Sequence, residues 1–387
     1  MNKKDRSLGI YVHIPFCVKK CDYCDFLSMP AGESEKTDYV RALIKEIEEC
    51  WEKYGCTGTE FKVETVYIGG GTPSCINPAH IERILGCIDK EFEHADREKT
   101  EITIEVNPGT VTDGMLKTYR ELGINRLSTG LQSANENELK ALGRIHSLDD
   151  FLRTYYAARE AGFSNINVDL MTAIPGQTEK SLAHTIGLVT DLLPEHVSAY
   201  SLIIEEGTPF YERYGTEEKR PFDGDEERDL YHMTVRLLEE SGYERYEISN
   251  FARDGFWSRH NTAYWTRRDY FGFGLGASSL IGNVRYRNTR DFESYVNRPA
   301  SPDIFDENII LSRDDCMDEF MFLGLRMSRG VSKAGFESEF GIKPEAVYGR
   351  EIDKFKNEGL LREEGGYLSP TDRGTDYGNY VFAGFLR

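Results

Sequence analysis

Three cysteines, Cys17, Cys21 and Cys24, stand within eight positions in the run FCVKKCDYCDF. With three and two residues between them, a short loop can turn all three sulfurs toward one point. Thiolates select zinc, copper(I) or iron–sulfur clusters. A structural zinc site would want a fourth protein ligand, and His13, inside a strand-like run, is a poor match for that role. Ordinary clusters take four cysteines; three leave one iron open, which is useful when a substrate or cofactor must bind it. The other cysteines, Cys50, Cys56, Cys75, Cys87 and Cys316, are scattered, and Cys50 falls in a helical pattern as a small core residue.

The elements that must position these thiols follow a regular alternation. Apolar, β-branched runs at 8–15, 63–70, 101–108, 124–132, 166–173 and 196–203 predict strands. Between them, helical patterns cover Asp38–Tyr54, Pro78–Phe92, Asp113–Leu122, Leu148–Ala161 and Glu179–Leu193. Strand and helix in steady alternation imply an α/β fold with parallel pairing and right-handed crossovers. Six units fit an incomplete TIM-like (β/α)6 barrel, with a doubly wound open sheet as the alternative that periodicity does not separate. In barrels, functional groups gather at the carboxyl ends of the strands. The cysteines follow strand one, Gly69-Gly70-Gly71-Thr72-Pro73 follows strand two, Glu105 and Asn107 close strand three, Gln132 closes strand four, and Asp169 lies in strand five. All would face one mouth. GGGTP lacks the GK[ST] ending of a P-loop, and its glycines either expose backbone to a ligand or make a tight turn. Asp169 within a strand asks for a reason, since carboxylates are depleted there.

Further along, a helical pattern at Asp225–Ser241 leads to a strand-like YERYEISNF and a Gly- and Arg-rich stretch to about residue 290. NRPASPDIFDEN (297–308) has the composition of a connection. DCMDEFMFLGLRM and GIKPEAVYGREIDKFKNEG read as helices, and LLREEGGYLSPT reads as a hairpin around Glu-Gly-Gly. The chain therefore divides into a barrel with its extension (1–295) and a small winged-helix-like α+β module (296–387). The module is not conspicuously basic, which favours a lid or docking role over DNA binding.

The 387 residues carry a formal charge of −19, a surface that repels phosphate backbones, so no nucleic acid is expected. No apolar run approaches the length of a membrane span, and the first residues lack the apolar core of a signal peptide. A cytoplasmic protein without a disulfide framework is expected. Arg285, Arg287 and Arg290, after Arg267 and Arg268, are either a solvated face or forks for carboxylates.

CxxxCxxC after a YVHIPF strand resembles the signature of the radical-SAM superfamily. The resemblance implies a [4Fe–4S] cluster on Cys17, Cys21 and Cys24, whose fourth iron takes the amino and carboxylate groups of S-adenosylmethionine (SAM). Reduction of the sulfonium then gives a 5′-deoxyadenosyl radical, chemistry that belongs to the cofactor. It further implies SAM contacts from Gly70, Gly71 and Thr72 in the glycine motif and from Glu105 to the ribose. Gln132, Arg144 and Asp169 look like further contacts, and so does Tyr11.

Over nearly the whole chain the resemblance is to the group containing oxygen-independent coproporphyrinogen oxidase, and most closely to its haem-chaperone (HemW-like) relatives. The decarboxylating oxidases carry another cysteine two positions after the third, whereas this chain has Asp25-Phe26. The chaperone branch has an HNxxYW motif, intact here from His260 to Trp265. His260 is thereby a candidate haem ligand, with Tyr264 and Trp265 on the porphyrin face and nearby arginines on its propionates. The other reading is a hydrogen-bonded histidine beside core aromatics, which periodicity alone favours. Ser258 replaces a frequent cysteine, and GFGLGASS (272–279) lacks a histidine found in relatives. The implied function is haem binding and transfer to acceptors such as respiratory enzymes, with an electron donor for the cluster. The alternative is a radical enzyme acting on a porphyrin(ogen), an oxidase or a HemN-like methyltransferase.

Overall fold

The computed structural model describes residues 6–55 and 60–387; Cys56 lies outside the described residues. Strands β1 (Arg6–Ile14), β2 (Phe61–Gly70), β3 (Glu101–Val106), β4 (Arg126–Gln132), β5 (Ile166–Thr172) and β6 (His196–Ser201) lie side by side in chain order, each pair parallel. A doubly wound sheet reverses its strand order at a switch point. This one does not, and the incomplete barrel stands. The wall stays open. Next to β6 the chain adds β7 (Glu244–Arg245) and β8 (Asn250–Ala252), with β8 antiparallel to both. Next to β1 it adds β9 (Asp269–Phe273) in parallel, then β10 (Ser278–Ile281), β11 (Val284–Asn288) and β12 (Phe305–Ile310) as antiparallel neighbours.

The pattern within β1 shows why these residues make a barrel strand. Leu8, Ile10, Val12 and Ile14 are fully buried toward the helical layer, while Tyr11 and His13, at the alternate positions, face the other side. The crossover helix Pro78–Glu91 starts where Asn77 accepts a hydrogen bond from Ala79 N (3.0 Å) with Pro78 in the first turn. Its Ile81, Ile84, Leu85 and Ile88 fall on one face and are buried. Each such side chain contributes about 1.5–3 kcal/mol by leaving water.

Two readings of the sequence are corrected. YERYEISNF is two short strands, β7 and β8, rather than one. Residues 297–308 are not simply a connection: the Pro- and Ser-rich part ends at the short helix Pro302–Ile304, and the residues from Phe305 extend the large sheet against β11. Beyond it, helices Arg313–Gly324, Lys333–Phe340 and Pro344–Asn357 pack with a three-stranded sheet of β13 (Val331–Ser332), β14 (Leu361–Glu364) and β15 (Tyr367–Pro370). Met321, Leu325, Phe336, Tyr348, Ile352 and Phe355 form a core of their own there. Gly365 and Gly366, at φ +57° and +82°, supply the left-handed turn that joins β14 to β15.

The extension beside β1 is fastened by one buried ion pair. Lys53 Nζ lies 2.7 Å from Glu46 Oε1, both side chains out of contact with solvent, and donates also to Asn288 Oδ1 (2.8 Å) and Pro299 O (2.9 Å). Glu46 Oε2 accepts from Gly274 N (2.9 Å) and from Tyr295 OH (2.5 Å). A buried charge left without its partner costs about 3–5 kcal/mol. Glu46→Ala is therefore expected to lower unfolding stability by about that amount in a urea titration, and Glu46→Gln by distinctly less; equal losses would show that the carboxylate charge is not what Lys53 requires.

Candidate functional site

At the end of β1, Cys17 N donates to Met29 O (3.1 Å) and Met29 N to Pro15 O (2.8 Å), closing the intervening residues into a loop over the barrel mouth. Asp22 N donates to Leu142 O (3.2 Å) and Phe210 N to Asp22 O (3.1 Å), so the loop is held by the end of the helix Glu136–Ala141 and by the helix Pro209–Tyr214; Arg213 pairs with the Asp22 carboxylate. The three thiols, each partly exposed, open into one cavity of about 140 Å³. Gly70, Gly71, Thr72, Glu105, Gln132, Arg144 and Asp169 line the same cavity. Ten of the twelve residues singled out in the sequence thus meet at one place.

The glycines are required by close approach. A Cβ on Gly70, at φ +117°, would sit 2.6 Å from the His13 ring, and one on Gly71 would sit 2.7 Å from Phe16 O and 3.1 Å from Cys17 Sγ. From there a polar chain crosses the mouth. Thr72 Oγ1 lies 3.4 Å from Cys17 Sγ and accepts from Asn107 Nδ2 at 2.7 Å. Arg144 donates to Asn107 Oδ1 (3.1 Å), to Gly130 O (2.9 Å) and, from Nη1, toward Cys21 Sγ (3.7 Å). Gln132 stands at φ +68° beside a break in the β4–β5 register, a bulge that re-aims its side chain.

Two carboxyls sit on the mouth's floor. Glu105 accepts from Tyr67 OH (2.7 Å) and Gly70 N (3.0 Å). Burial nevertheless pushes it up to about 7, with the Asp169 charge adding to the shift. Burial also raises Asp169, against the hydrogen bond from Asn167 Nδ2 (2.7 Å). Beneath them Arg126 is 1% exposed, its Nε has no hydrogen-bond partner among the described residues, and its field draws both carboxyls back down. Spacing did not single out Arg126 or Tyr67; a charged residue in a buried strand is the one signal the sequence carries for Arg126.

Two of the expected site residues lie apart from the thiol cavity. Tyr11 does not reach the thiol cavity: it donates to His13 Nδ1 (3.0 Å), whose Nε2–H is given to Leu27 O (2.9 Å). His260 is 1% exposed and has both ring nitrogens engaged, Nδ1 with Thr65 Oγ1 (2.8 Å) and Nε2 with Tyr264 OH (2.9 Å). Glu101 accepts its backbone N–H at 3.0 Å. Burial, reinforced by Arg126, lowers its pKa to about 3. It stands as a hydrogen-bonded core histidine, the other reading the sequence offered, with Tyr264 as the partner of its Nε2.

Tyr11 lines a second cleft instead, of about 550 Å³, with Tyr264, Trp265, Tyr270, Gly276 and Leu280 and with Arg285, Arg287 and Arg290 at its edge. Phe26, 68% exposed, belongs to both cavities. The arginines divide. Arg267 and Arg285 grip Glu319 at 3.0 and 2.8 Å, Arg268 meets Glu64 at 3.3 Å, and Arg287 faces Glu307 at 3.5 Å. The Arg290 side chain has no partner among the described residues.

Residues 11–189 match the Radical SAM superfamily and residues 311–377 the HemN C-terminal domain. The heme chaperone HemW of Lactococcus lactis subsp. lactis (strain IL1403) is 35% identical over 97% of this chain and 96% of its own. That of Bacillus subtilis (strain 168) is 34% identical over 97% of this chain and 98% of its own. The chain belongs to the HemW family of the radical SAM superfamily. The HemW of Escherichia coli (strain K12) matches at 32% over 98% of both chains. Among solved structures, the coproporphyrinogen III oxidase HemN of Escherichia coli, a radical SAM enzyme, has a TM-score of 0.83 over 98% of this chain and 90% of its own, at 24% identity; that likeness speaks for the fold. In this HemW-family chain the HNxxYW run is the helix Arg259–Trp265, and Ser258 caps it by accepting from Asn261 N at 3.3 Å. A capping hydroxyl gives the departure at position 258 a structural use. No helix among the described residues is long and apolar enough to cross a membrane.

The raised Glu105 carboxyl sets a pH dependence. Its ordinary value is 4.5 and its value in the fold about 7, so the ligand-free protein carries no ionisation cost below about pH 4.5 and the whole of it above about pH 7. That cost is on the order of 3 kcal/mol. Glu105→Gln, which cannot ionise, is expected to gain melting temperature relative to wild type as pH rises across this window. Parallel curves for the two proteins would contradict the assignment.

Proposed function

We propose that this chain holds a [4Fe–4S] cluster on Cys17, Cys21 and Cys24 with SAM over the strand ends, and carries haem in the adjoining cleft for delivery to haem-requiring acceptors such as respiratory enzymes. The observation that carries the reading is the cleft itself: aromatic walls, an arginine edge and a wall at Phe26 in common with the thiol cavity. Its volume lies within the range of small-molecule sites. Tyr264, Trp265 and Tyr270 suit a flat apolar macrocycle, and Arg287 and Arg290 suit propionates, which planar guanidinium forks bind well. Membership of the HemW family supports the cargo.

The donor set fits a cluster better than zinc. No three His, Cys, Asp or Glu side chains among the described residues converge closely enough to hold a single ion, whereas a four-iron cluster takes each thiolate on a separate iron. Arg144 beside Cys21 and Thr72 beside Cys17 supply the compensating charge and hydrogen bond that clustered thiolates need. When bound, the cluster and SAM supply one-electron chemistry at the sulfonium. The chain's own groups do the rest: Glu105 and Asp169 offer acceptors for ribose hydroxyls, Gly70 and Gly71 bare their backbone to the methionine end, and Gln132 and Arg144 close the wall. An electron donor is required, and a cytoplasmic location, where thiols stay reduced, belongs to the same reading.

A radical reaction on a porphyrin(ogen) is the second reading, favoured by the wall the two cavities have in common, which would bring a macrocycle edge beside the cluster mouth. Against it, Phe26 stands where the decarboxylating oxidases carry a further cysteine.

Haemin titrated into the anaerobically reconstituted protein should give a saturable one-to-one Soret shift. Arg287→Glu with Arg290→Glu should weaken it by on the order of tenfold or more, the loss of charge-assisted bonds worth about 1.5–3 kcal/mol each. Unchanged affinity would remove haem from this cleft. Cys17→Ala should lose cluster iron and keep haem; a full complement of iron in that variant would refute the ligand set.

A further inference from the structure

Among the described cysteines outside the CxxxCxxC run, Cys75 alone is not buried. It ends the short helix Pro73–Cys75 that follows the glycine run. Thr72 N donates to Phe16 O (2.8 Å) and Cys75 N to Thr72 O (2.9 Å), so Cys75 stands one tight turn from the point where the chain is pinned to the residue before Cys17. Its sulfur accepts from the N–H of Val18, on the peptide that follows Cys17, and bonds with the Thr72 hydroxyl. That same hydroxyl lies 3.4 Å from Cys17 Sγ. Cys17 and Cys75 both open into a cleft of about 580 Å³ beside Ile145 and His146, which Cys21 and Cys24 do not line. Of the residues around this cleft, Cys17 alone also lines the thiol cavity. The two sulfurs thus share one hydroxyl and one stretch of backbone, the closeness a disulfide requires.

We infer that Cys17 and Cys75 join in a reversible disulfide when the thiol site is empty and a peroxide is present, a modification that guards Cys17 for reloading. That the group reloaded is a cluster rests on the reading above; the bridge itself does not. Hydrogen peroxide gives one oxygen to the first thiol, making a sulfenic acid, and leaves as water. The second sulfur then attacks: the S–S bond forms, the S–O bond breaks, and the hydroxyl departs with the second thiol's proton as water. Two thiols and one peroxide become one disulfide and two waters. Three thiols are an odd set, so any bridge within the loop strands one of them. A stranded sulfenic acid goes on to sulfinic acid, which a thiol reductant does not reverse. Cys75 supplies the missing partner. With Cys17 committed to iron its sulfur is not free to bridge, so the disulfide belongs to the empty site alone.

The test is mass spectrometry of the full-length, cluster-free protein, reduced, freed of reductant, treated with hydrogen peroxide and alkylated before digestion. A pair of peptides joined through Cys17 and Cys75, and released by dithiothreitol, is expected. Cys75 found alkylated, or joined to any thiol other than Cys17, would overturn the bridge. Iron content is the second readout. Serine at position 75 keeps an acceptor for Val18 N–H, so Cys75→Ser and wild type, kept reduced throughout, should take up equal cluster iron. After peroxide and then dithiothreitol, wild type should regain that iron, while the variant should lose most of it and carry sulfinic acid on Cys17. Equal recovery in the two proteins would overturn the guarding role. Absence of cluster iron from reduced wild-type protein would overturn the cluster reading, whereas the joined peptides decide the bridge independently.

Discussion

The end of β2 has to lie against the end of β1 with no side chain between them, and the site depends on that close approach. Gly70 lies against the His13 ring and Gly71 against Phe16 O and Cys17 Sγ. Any larger residue would lift the β2 end away from the thiol loop. Because the two strands meet so closely, Thr72 reaches Cys17, Asn107 reaches Thr72, and Arg144 links Asn107 to Cys21. Groups from four parts of the chain are fixed in one hydrogen-bonded arc, so the thiol loop is placed by the barrel and needs no helix or strand of its own.

The same close approach creates an electrostatic demand. Three thiols, Glu105 and Asp169 face one mouth, and burial penalises the charged form of both carboxyls. Arg144 answers beside the thiols, and the buried Arg126 guanidinium answers from the floor by drawing both carboxyls down. The ligand-free site is therefore charge-strained, and a ligand bringing positive charge and hydroxyl donors relieves the strain. Sulfonium and ribose are such groups. On the far side of β1, the ion pair of Lys53 with Glu46 holds the extension that carries Gly276, Arg285 and Arg287, so the second cleft stands on a different anchor from the first.

How much of this the sequence revealed follows from how local each signal is. The six barrel strands could be read to within a few residues, because apolar runs and helical faces repeat over short windows. The thiol cavity could be read because every member closes a strand and the barrel gathers strand ends. The second cleft could not. It forms where β9 pairs with β1 and carries Tyr270 and the arginine strands up beside Tyr11, a pairing over more than 250 positions that no local pattern announces. The partners that hold His260 could not be read for the same reason: Thr65 and Glu101 lie 195 and 159 positions earlier. The residues around 305–310 were masked by the prolines and aspartate just before them.

Under the proposed function, two iron-containing groups would stand side by side, one on the thiol loop and one in the aromatic cleft, with Phe26 lining both cavities. An anomalous-scattering map at the iron edge, from crystals of the reconstituted protein grown with haem, measures this directly. Two separate iron peaks are expected, one bounded by Cys17, Cys21 and Cys24 and one between Trp265 and the Arg287–Arg290 edge. A haem iron peak anywhere outside that cleft, or iron bound without the three cysteines, would contradict it.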